Sequence, residues 1–456
     1  MIMSDLNPLI WPSGATRVNG EVNIGGCAVT SISAKFNTPI FILDETDLKA
    51  RANMWQQALY ETFQDRAGDV FYAAKAFVSV EVAKIIKELG LNIDVCTGGE
   101  LAVVAAAKFP GARIEMHGNN KSESEITEAL DYGVSTIVVD SLQEIERVSR
   151  LAGLQGKTQK IIIRLNPGVE AHTHEYITTA IEDVKFGFSI ASGAAWNAVM
   201  EIAKSSSLSL VGVHSHIGSQ IFSGEAFDAT AVKLLEFLKR YKDEFKVELP
   251  ELIIGGGFGI AYMDSDQPIS AEKLLKQIHK VVISNCERLG LAIPRFSIEP
   301  GRAIIGPAMV TLYTVGTTKE VKLNDGATRL YVAVDGGMSD NIRTSLYDAK
   351  YTAVLANRES SAAKRDCRIV GKHCESGDVI INSVFLPSDI KPGDLIAVAA
   401  TGAYGRSMAS NYNHVPRPGV IAVQSGMART IIRSETNADL LALDIAEAAK
   451  PIGERS

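Results

Sequence analysis

Eight short apolar stretches recur along the first 300 residues, at 71–74, 93–95, 113–116, 136–139, 161–165, 210–213, 252–254 and 296–298. Each reads as a buried strand, and the segments between them read as helices. Strand followed by helix, repeated, favours parallel strands joined by right-handed crossovers. Eight such units predict an α/β chain built on a (β/α)8 TIM barrel, in which the loops leaving the C-terminal strand ends form one active site. The residues that follow the strands include Lys75, Cys96, His117, Asp140, Asn166, His214-Ser215-His216, Gly255-Gly256-Gly257 and Glu299-Pro300-Gly301-Arg302. Groups far apart in the chain would therefore converge on one mouth.

Local signals support the helices. Val82, Ile85, Ile86 and Leu89 repeat at the spacing of one helix face, and Leu274, Leu275, Ile278, Val281 and Val282 mark the last barrel helix. Ser122 with Glu125, and Ser141 with Glu144, have capping-box spacing. After Arg302 the pattern changes. Stretches 310–315, 330–334, 352–355, 368–370, 379–381, 395–399, 420–423 and 430–432 read as strands without long helices between them, with a short helix near 438–448. A chain of 456 residues also exceeds one ordinary core. The expected division is a barrel over 37–303 and an all-β domain, a sandwich or Greek-key barrel, over 304–456. Residues 1–36 are short and turn-rich, carry a strand-like 21–24, and are expected to complete the β domain.

Hydrophobic content of 46% with 22% charged residues describes a water-soluble globular chain, and a net charge of −7 argues against non-specific nucleic-acid binding. The five cysteines are odd in number and none has CxxC spacing. The first residues lack a charged segment followed by an apolar one, and no 18-residue apolar run occurs. The expectation is a reduced, cytoplasmic protein with no membrane partner.

Several groups carry chemistry, each beside a plainer reading. Lys75 ends an apolar strand; drawn partly from water its amine would have a lowered pKa and form a Schiff base, or it simply leaves the barrel rim. Gly255-Gly256-Gly257-Phe258-Gly259 after the seventh strand is either a turn or a phosphate site, which such barrels place after strands seven and eight. Glu299 and Arg302 form either a surface ion pair or a group that holds a pyridine nitrogen and an anion. In His214-Ser215-His216-Ile217-Gly218-Ser219 an imidazole can lie on an aromatic ring and Ser219 can bond a phosphate; no accompanying ligand spacing supports a metal. His172 and His174 read as solvated. His373-Cys374-Glu375 is either a proton-delivering group or a structural cysteine.

Taken together, Tyr72-Ala73-Ala74-Lys75-Ala76, His117-Gly118-Asn119-Asn120-Lys121, His214 to Gln220, Gly255-Gly256-Gly257, Glu299-Pro300-Gly301-Arg302 and Cys374-Glu375-Ser376-Gly377-Asp378 resemble the fold-type III pyridoxal-phosphate decarboxylases, the family of the ornithine and diaminopimelate decarboxylases. The resemblance spans nearly the whole chain. Asp335 to Arg343, Gly402-Ala403-Tyr404 and Met408 to Asn413 are most similar to the diaminopimelate branch, although Gly405 stands where many relatives carry cysteine.

The resemblance implies pyridoxal 5′-phosphate as cofactor and a homodimer with shared sites. Lys75 would carry the cofactor, Glu299 would pair with its ring nitrogen and His216 would stack on the ring. Ser219, Gly257 and the backbone around Gly301 and Arg302 would hold the phosphate, and Tyr404 would touch the cofactor. Arg302, Arg343, Tyr347, Glu375 and Tyr404 would bind the small amino-acid substrate, and Cys374 of a second subunit would give a proton. The implied reaction converts meso-2,6-diaminopimelate to L-lysine and CO2, the last step of lysine biosynthesis. Decarboxylation of lysine, ornithine or arginine is the alternative. It suits Arg302 and Arg343 less, because a diamine tail gives an arginine nothing to bind. A racemase of this fold would resemble the barrel but place arginine where Glu299 stands, and a barrel-only regulator would lack the β domain.

Overall fold

A computed structural model describes residues 6–169, 185–324 and 326–445. The eight barrel strands are Ala67–Ala73, Asn92–Val95, Ile114–Met116, Thr136–Val139, Gln159–Asn166, Leu208–His214, Glu251–Ile253 and Arg295–Ile298. All neighbours pair in parallel, and the ring closes where Phe296 and Ile298 meet Ala67 and Val70. Packing on both faces explains why these strands read as continuous apolar runs rather than alternating ones. Ile93, Val95, Ile137, Val139, Ile161 and Ile163 are fully buried. Asp94 and Glu115 break the pattern, sit opposite each other across two strands, and are equally buried.

The helices follow their signals. Val80–Glu88 starts at Ser79, whose hydroxyl accepts from the Val82 N–H, and buries Val82, Ile85 and Ile86. Glu123–Tyr132 has the complete capping box of Ser122 and Glu125. Leu142–Leu154 has only half of one: Ser141 accepts from the Glu144 N–H, but the Glu144 carboxylate turns to the buried Lys121 ammonium at 2.9 Å and the Asp140 N–H at 2.8 Å. A buried ion pair therefore replaces the return bond.

Beyond the barrel, Met309–Lys322 is the spine of the second sheet. Its first half pairs with Ile40–Asp44 and Leu395–Val398, and its second half with Thr328–Val334. Lys364–Val370 and Val379–Pro387 extend one side, while Gly419–Gln424 and Met427–Ile432 extend the other. Ile40–Asp44 differs from the sequence-based division, which assigned it to the barrel. All five of its residues are buried, and it lies between Met309–Lys322 and Gly419–Gln424. An apolar strand of this kind needs neighbours on both edges and both faces, and the closed barrel has no open edge to offer. The Asp44 side chain then caps Glu45–Phe63, the helix that leads from this sheet to the barrel. Thr16–Val18, Glu21–Ile24 and Cys27–Ala28 form a small sheet, tied to the larger one by the Val22 N–H donating to the Ala356 carbonyl at 2.8 Å.

At the far end only Asn437–Leu441 is helical among the described residues of 438–448. His172 and His174 lie outside the described residues. All five cysteines are free, and no helix among the described residues is long and apolar enough to cross a membrane.

Candidate active site

The strand ends meet around Glu299, which is 2% exposed. Nε2 of His214 lies 3.1 Å from its Oε1 and 3.2 Å from its Oε2, and Nε2 of His117 lies 3.4 Å from Oε1. The two imidazoles meet edge to face at 4.9 Å. Burial opposes a charge on Glu299, but His214, His117 and Lys75 outweigh it and hold the carboxyl well below its ordinary range. Burial pushes the His117 imidazole well below its ordinary value, against the pull of Glu299. Oε1 of Glu299 is buried and makes no hydrogen bond. A carboxylate kept charged while one oxygen lacks a donor suits a protonated ring nitrogen.

Lys75 follows the first strand and is half-buried. Burial alone pulls its ammonium down, but Asp94, Cys96, Tyr404 and Glu299 reverse the balance and raise its pKa above the ordinary value. The sequence-based expectation was a lowered pKa. It is corrected by Asp94, an acid inside the second strand that the apolar pattern concealed.

Three loops close the floor, and glycine is required there for their mutual approach. A Cβ at Gly257, where φ is +90°, would lie 2.1 Å from the Gly218 carbonyl oxygen, and one at Gly256 would lie 2.2 Å from that of Glu299. The Gly256 N–H donates to Nδ1 of His216 at 3.2 Å, which fixes that ring against the loop. The Tyr404 N–H and the Ser407 hydroxyl both donate to the Ala76 carbonyl at 2.9 Å, pinning a β-domain loop beside Lys75. Lys75, His216, Ser219, Gly257, Glu299, Gly301, Arg302 and Tyr404 consequently surround one small inner cavity. Every cofactor-binding residue expected from the sequence lies there. A flat ring above Glu299 with a phosphate towards the glycines fits these groups.

An outer cavity of about 430 Å³ shares His216, Ser219, Arg302 and Tyr404 with the inner one and adds Arg343 and Tyr347. Arg343 and Tyr347 stand four residues apart on the helix Arg343–Tyr347, the spacing that puts two side chains on one face. Arg302 donates to Ser219 Oγ at 2.9 Å and to the Tyr262 hydroxyl at 2.6 Å, with its guanidinium 4.7 Å from the centre of the Tyr404 ring. Arg343 donates to the Tyr351 hydroxyl at 2.6 Å. Tyr262 and Tyr351 were not singled out from the sequence; nothing periodic marks a tyrosine in a loop.

Cys374 and Glu375 stand apart. Both are exposed, on the turn between Lys364–Val370 and Val379–Pro387, and neither lines either cavity. The turn is nevertheless built firmly. The Asp378 carboxylate accepts from the Met338 N–H at 2.6 Å and the His373 N–H at 2.7 Å, and Asn413 accepts from the Cys374 N–H at 3.1 Å.

Comparison with known proteins agrees with this geometry. Residues 45–306 match the family described as pyridoxal-dependent decarboxylase, pyridoxal binding domain. The chain is 49% identical to the diaminopimelate decarboxylase of Mycobacterium tuberculosis over 445 residues, covering 96% of this chain and 98% of the relative. Two crystal structures of diaminopimelate decarboxylase from M. jannaschii, one in co-complex with L-lysine, superpose with TM-scores of 0.89 and 0.88 at 29% identity, covering 96% of this chain and 98% of theirs. With its barrel, its β domain and its carboxylate-floored mouth, the chain belongs to the pyridoxal-dependent decarboxylases, in the diaminopimelate decarboxylase family.

Proposed function

We propose that the joined cavities at the barrel mouth bind meso-2,6-diaminopimelate beside pyridoxal phosphate and release L-lysine and CO2, the reaction that ends lysine biosynthesis. The observation that carries this reading is that Arg302 and Arg343 both line the outer cavity while Lys75 and Glu299 line the inner one. An amino acid reaching from one to the other needs a carboxylate at its far end to occupy two guanidinium groups. Diaminopimelate has one; ornithine and lysine do not.

When bound, pyridoxal phosphate supplies a protonated pyridine as the sink for the electron pair left by departing CO2. The chain's own residues do the rest. Lys75 holds the cofactor, and the Glu299 carboxylate keeps the ring nitrogen protonated by close opposite charge. His216, braced by Gly256, supports the ring face, and Tyr404 closes the site beside it. Ser219, Gly257 and the backbone of Gly301 and Arg302 form the phosphate cradle. Arg302, Arg343, Tyr347 and Tyr404 would hold the substrate's far end in the outer cavity, and the orientation so fixed would select which bond breaks.

Cys374 and Glu375 belong, in this reading, to the site of a second copy. Their exposure on a rigid turn, outside their own chain's cavities, supports a homodimer in which Cys374 returns a proton to the carbon that lost CO2 and Glu375 meets the distal amine. Free thiols and a biosynthetic reaction support a cytoplasmic location.

Mixed subunits test activity and sharing together. Lys75→Ala and Cys374→Ala proteins are each expected to release little lysine from meso-diaminopimelate. Mixed in equal amounts, they should recover up to about a quarter of wild-type activity, since about half of the dimers are mixed and each of those has one intact site. No recovery in dimers shown to be mixed contradicts sharing, and full activity of Cys374→Ala alone removes that thiol from the reaction.

A further inference from the structure

The outer cavity holds two cationic side chains whose charges repel each other and whose long stems carry much rotamer freedom. Both are nevertheless fixed by contacts within the protein, and the same tyrosine touches both. The Tyr262 hydroxyl takes the Arg302 bond at 2.6 Å, and the face of its ring lies under Arg343 at 5.0 Å from guanidinium to ring centre. Tyr351 meets the Tyr262 ring edge-on at 5.2 Å, and its hydroxyl accepts from Arg343 at 2.6 Å.

Tyr262 itself is held through the backbone on both sides of its Cα. Its N–H donates to Asp266 at 2.9 Å, and its carbonyl accepts from the Thr352 hydroxyl at 2.7 Å. Meanwhile Nε of Arg302 is buried and makes no hydrogen bond, a charged donor left for something else.

We propose that Tyr262, backed by Tyr351, is a positioning residue that sets Arg302 and Arg343 as a preformed carboxylate receptor and so makes a distal carboxylate the substrate feature this site selects. The proposal rests on the function proposed above. Its physical content is preorganisation: neither arginine has to be ordered when the ligand binds, and the phenol oxygen between them offsets part of their repulsion. The hydroxyl's acidity agrees with that position. Burial would raise its pKa, but Arg302 and Arg343 outweigh burial and bring it below the ordinary value. Removing the oxygen while keeping the ring leaves the stacking intact and releases Arg302.

The test uses cofactor-loaded Tyr262→Phe and Tyr351→Phe proteins beside the wild type. KM for meso-diaminopimelate is expected to rise about tenfold or more in Tyr262→Phe, as loss of a hydrogen bond to a charged group implies, while kcat changes less than about threefold. Calorimetric binding of pimelate, a dicarboxylate of the same length without amines, should weaken by the same factor. Cofactor absorbance and Tm should stay at wild-type values. Tyr351→Phe should move KM and pimelate affinity in the same direction. Unchanged KM and pimelate affinity in Tyr262→Phe overturn the proposal. So does an equal loss of cofactor binding and Tm, which marks a structural role only. A wild type that releases no CO2 from meso-diaminopimelate refutes the proposed function instead, and pimelate binding that still depends on Tyr262 then supports the receptor on its own.

Discussion

Lys75→Ala is expected to lower kcat/KM by about four orders of magnitude or more, because in the proposed function this side chain carries the cofactor and the decarboxylation has no other sink within reach. The same change should abolish the long-wavelength absorbance of bound pyridoxal phosphate. The fold should survive it, since the first strand ends before Lys75, at Ala73. Loading of the wild type should in turn accelerate as pH rises. Asp94, Cys96, Tyr404 and Glu299 keep the amine protonated above its ordinary pKa, and only the free amine attacks an aldehyde. An unchanged cofactor spectrum in Lys75→Ala, with turnover near wild type, would place the cofactor elsewhere.

The second large effect is expected at Glu299. Glu299→Gln keeps the shape of the floor and removes the charge. The wild-type carboxyl stays ionised in a buried place because His214, His117 and Lys75 face it. Without that anion, protonation of the pyridine nitrogen has no electrostatic support, and kcat should fall by about two to three orders of magnitude, the scale of removing one preorganised charge partner from a reacting group. KM should move far less, since Arg302 and Arg343, the proposed partners of the distal end, line the outer cavity. Steady-state kinetics on the loaded variant distinguish the cases. A kcat within about threefold of wild type would mean that the carboxylate does not tune the ring.

The barrel was legible because each of its strands is a short apolar run and because the residue types at their ends are unusual for solvent-facing loops. Lys75, His216, Gly257 and Glu299 were found that way, and they converge as the closed parallel sheet requires. What stayed hidden was what tertiary contact alone decides. Asp94 sits between Ile93 and Val95 and looks like an interruption of a strand; its effect on Lys75 comes from tertiary structure alone. Tyr262 follows the glycine run without any pattern, and its meaning comes from two arginines that arrive from the eighth strand and from the β domain. Ile40–Asp44 was not singled out as a strand, and its partners lie beyond residue 308, where no local pattern points to them. Cys374 and Glu375 carried their signal in a short motif, while their place outside their own chain's cavities could be seen only in three dimensions.

The most direct measurement is product analysis on the cofactor-loaded protein, with meso-diaminopimelate, L-lysine and L-ornithine offered separately. The expected result is L-lysine and CO2 from meso-diaminopimelate, and no CO2 from the other two. Cadaverine from lysine or putrescine from ornithine at comparable rates would keep the cofactor site but contradict the selection by Arg302 and Arg343, and no CO2 from meso-diaminopimelate would contradict the function itself.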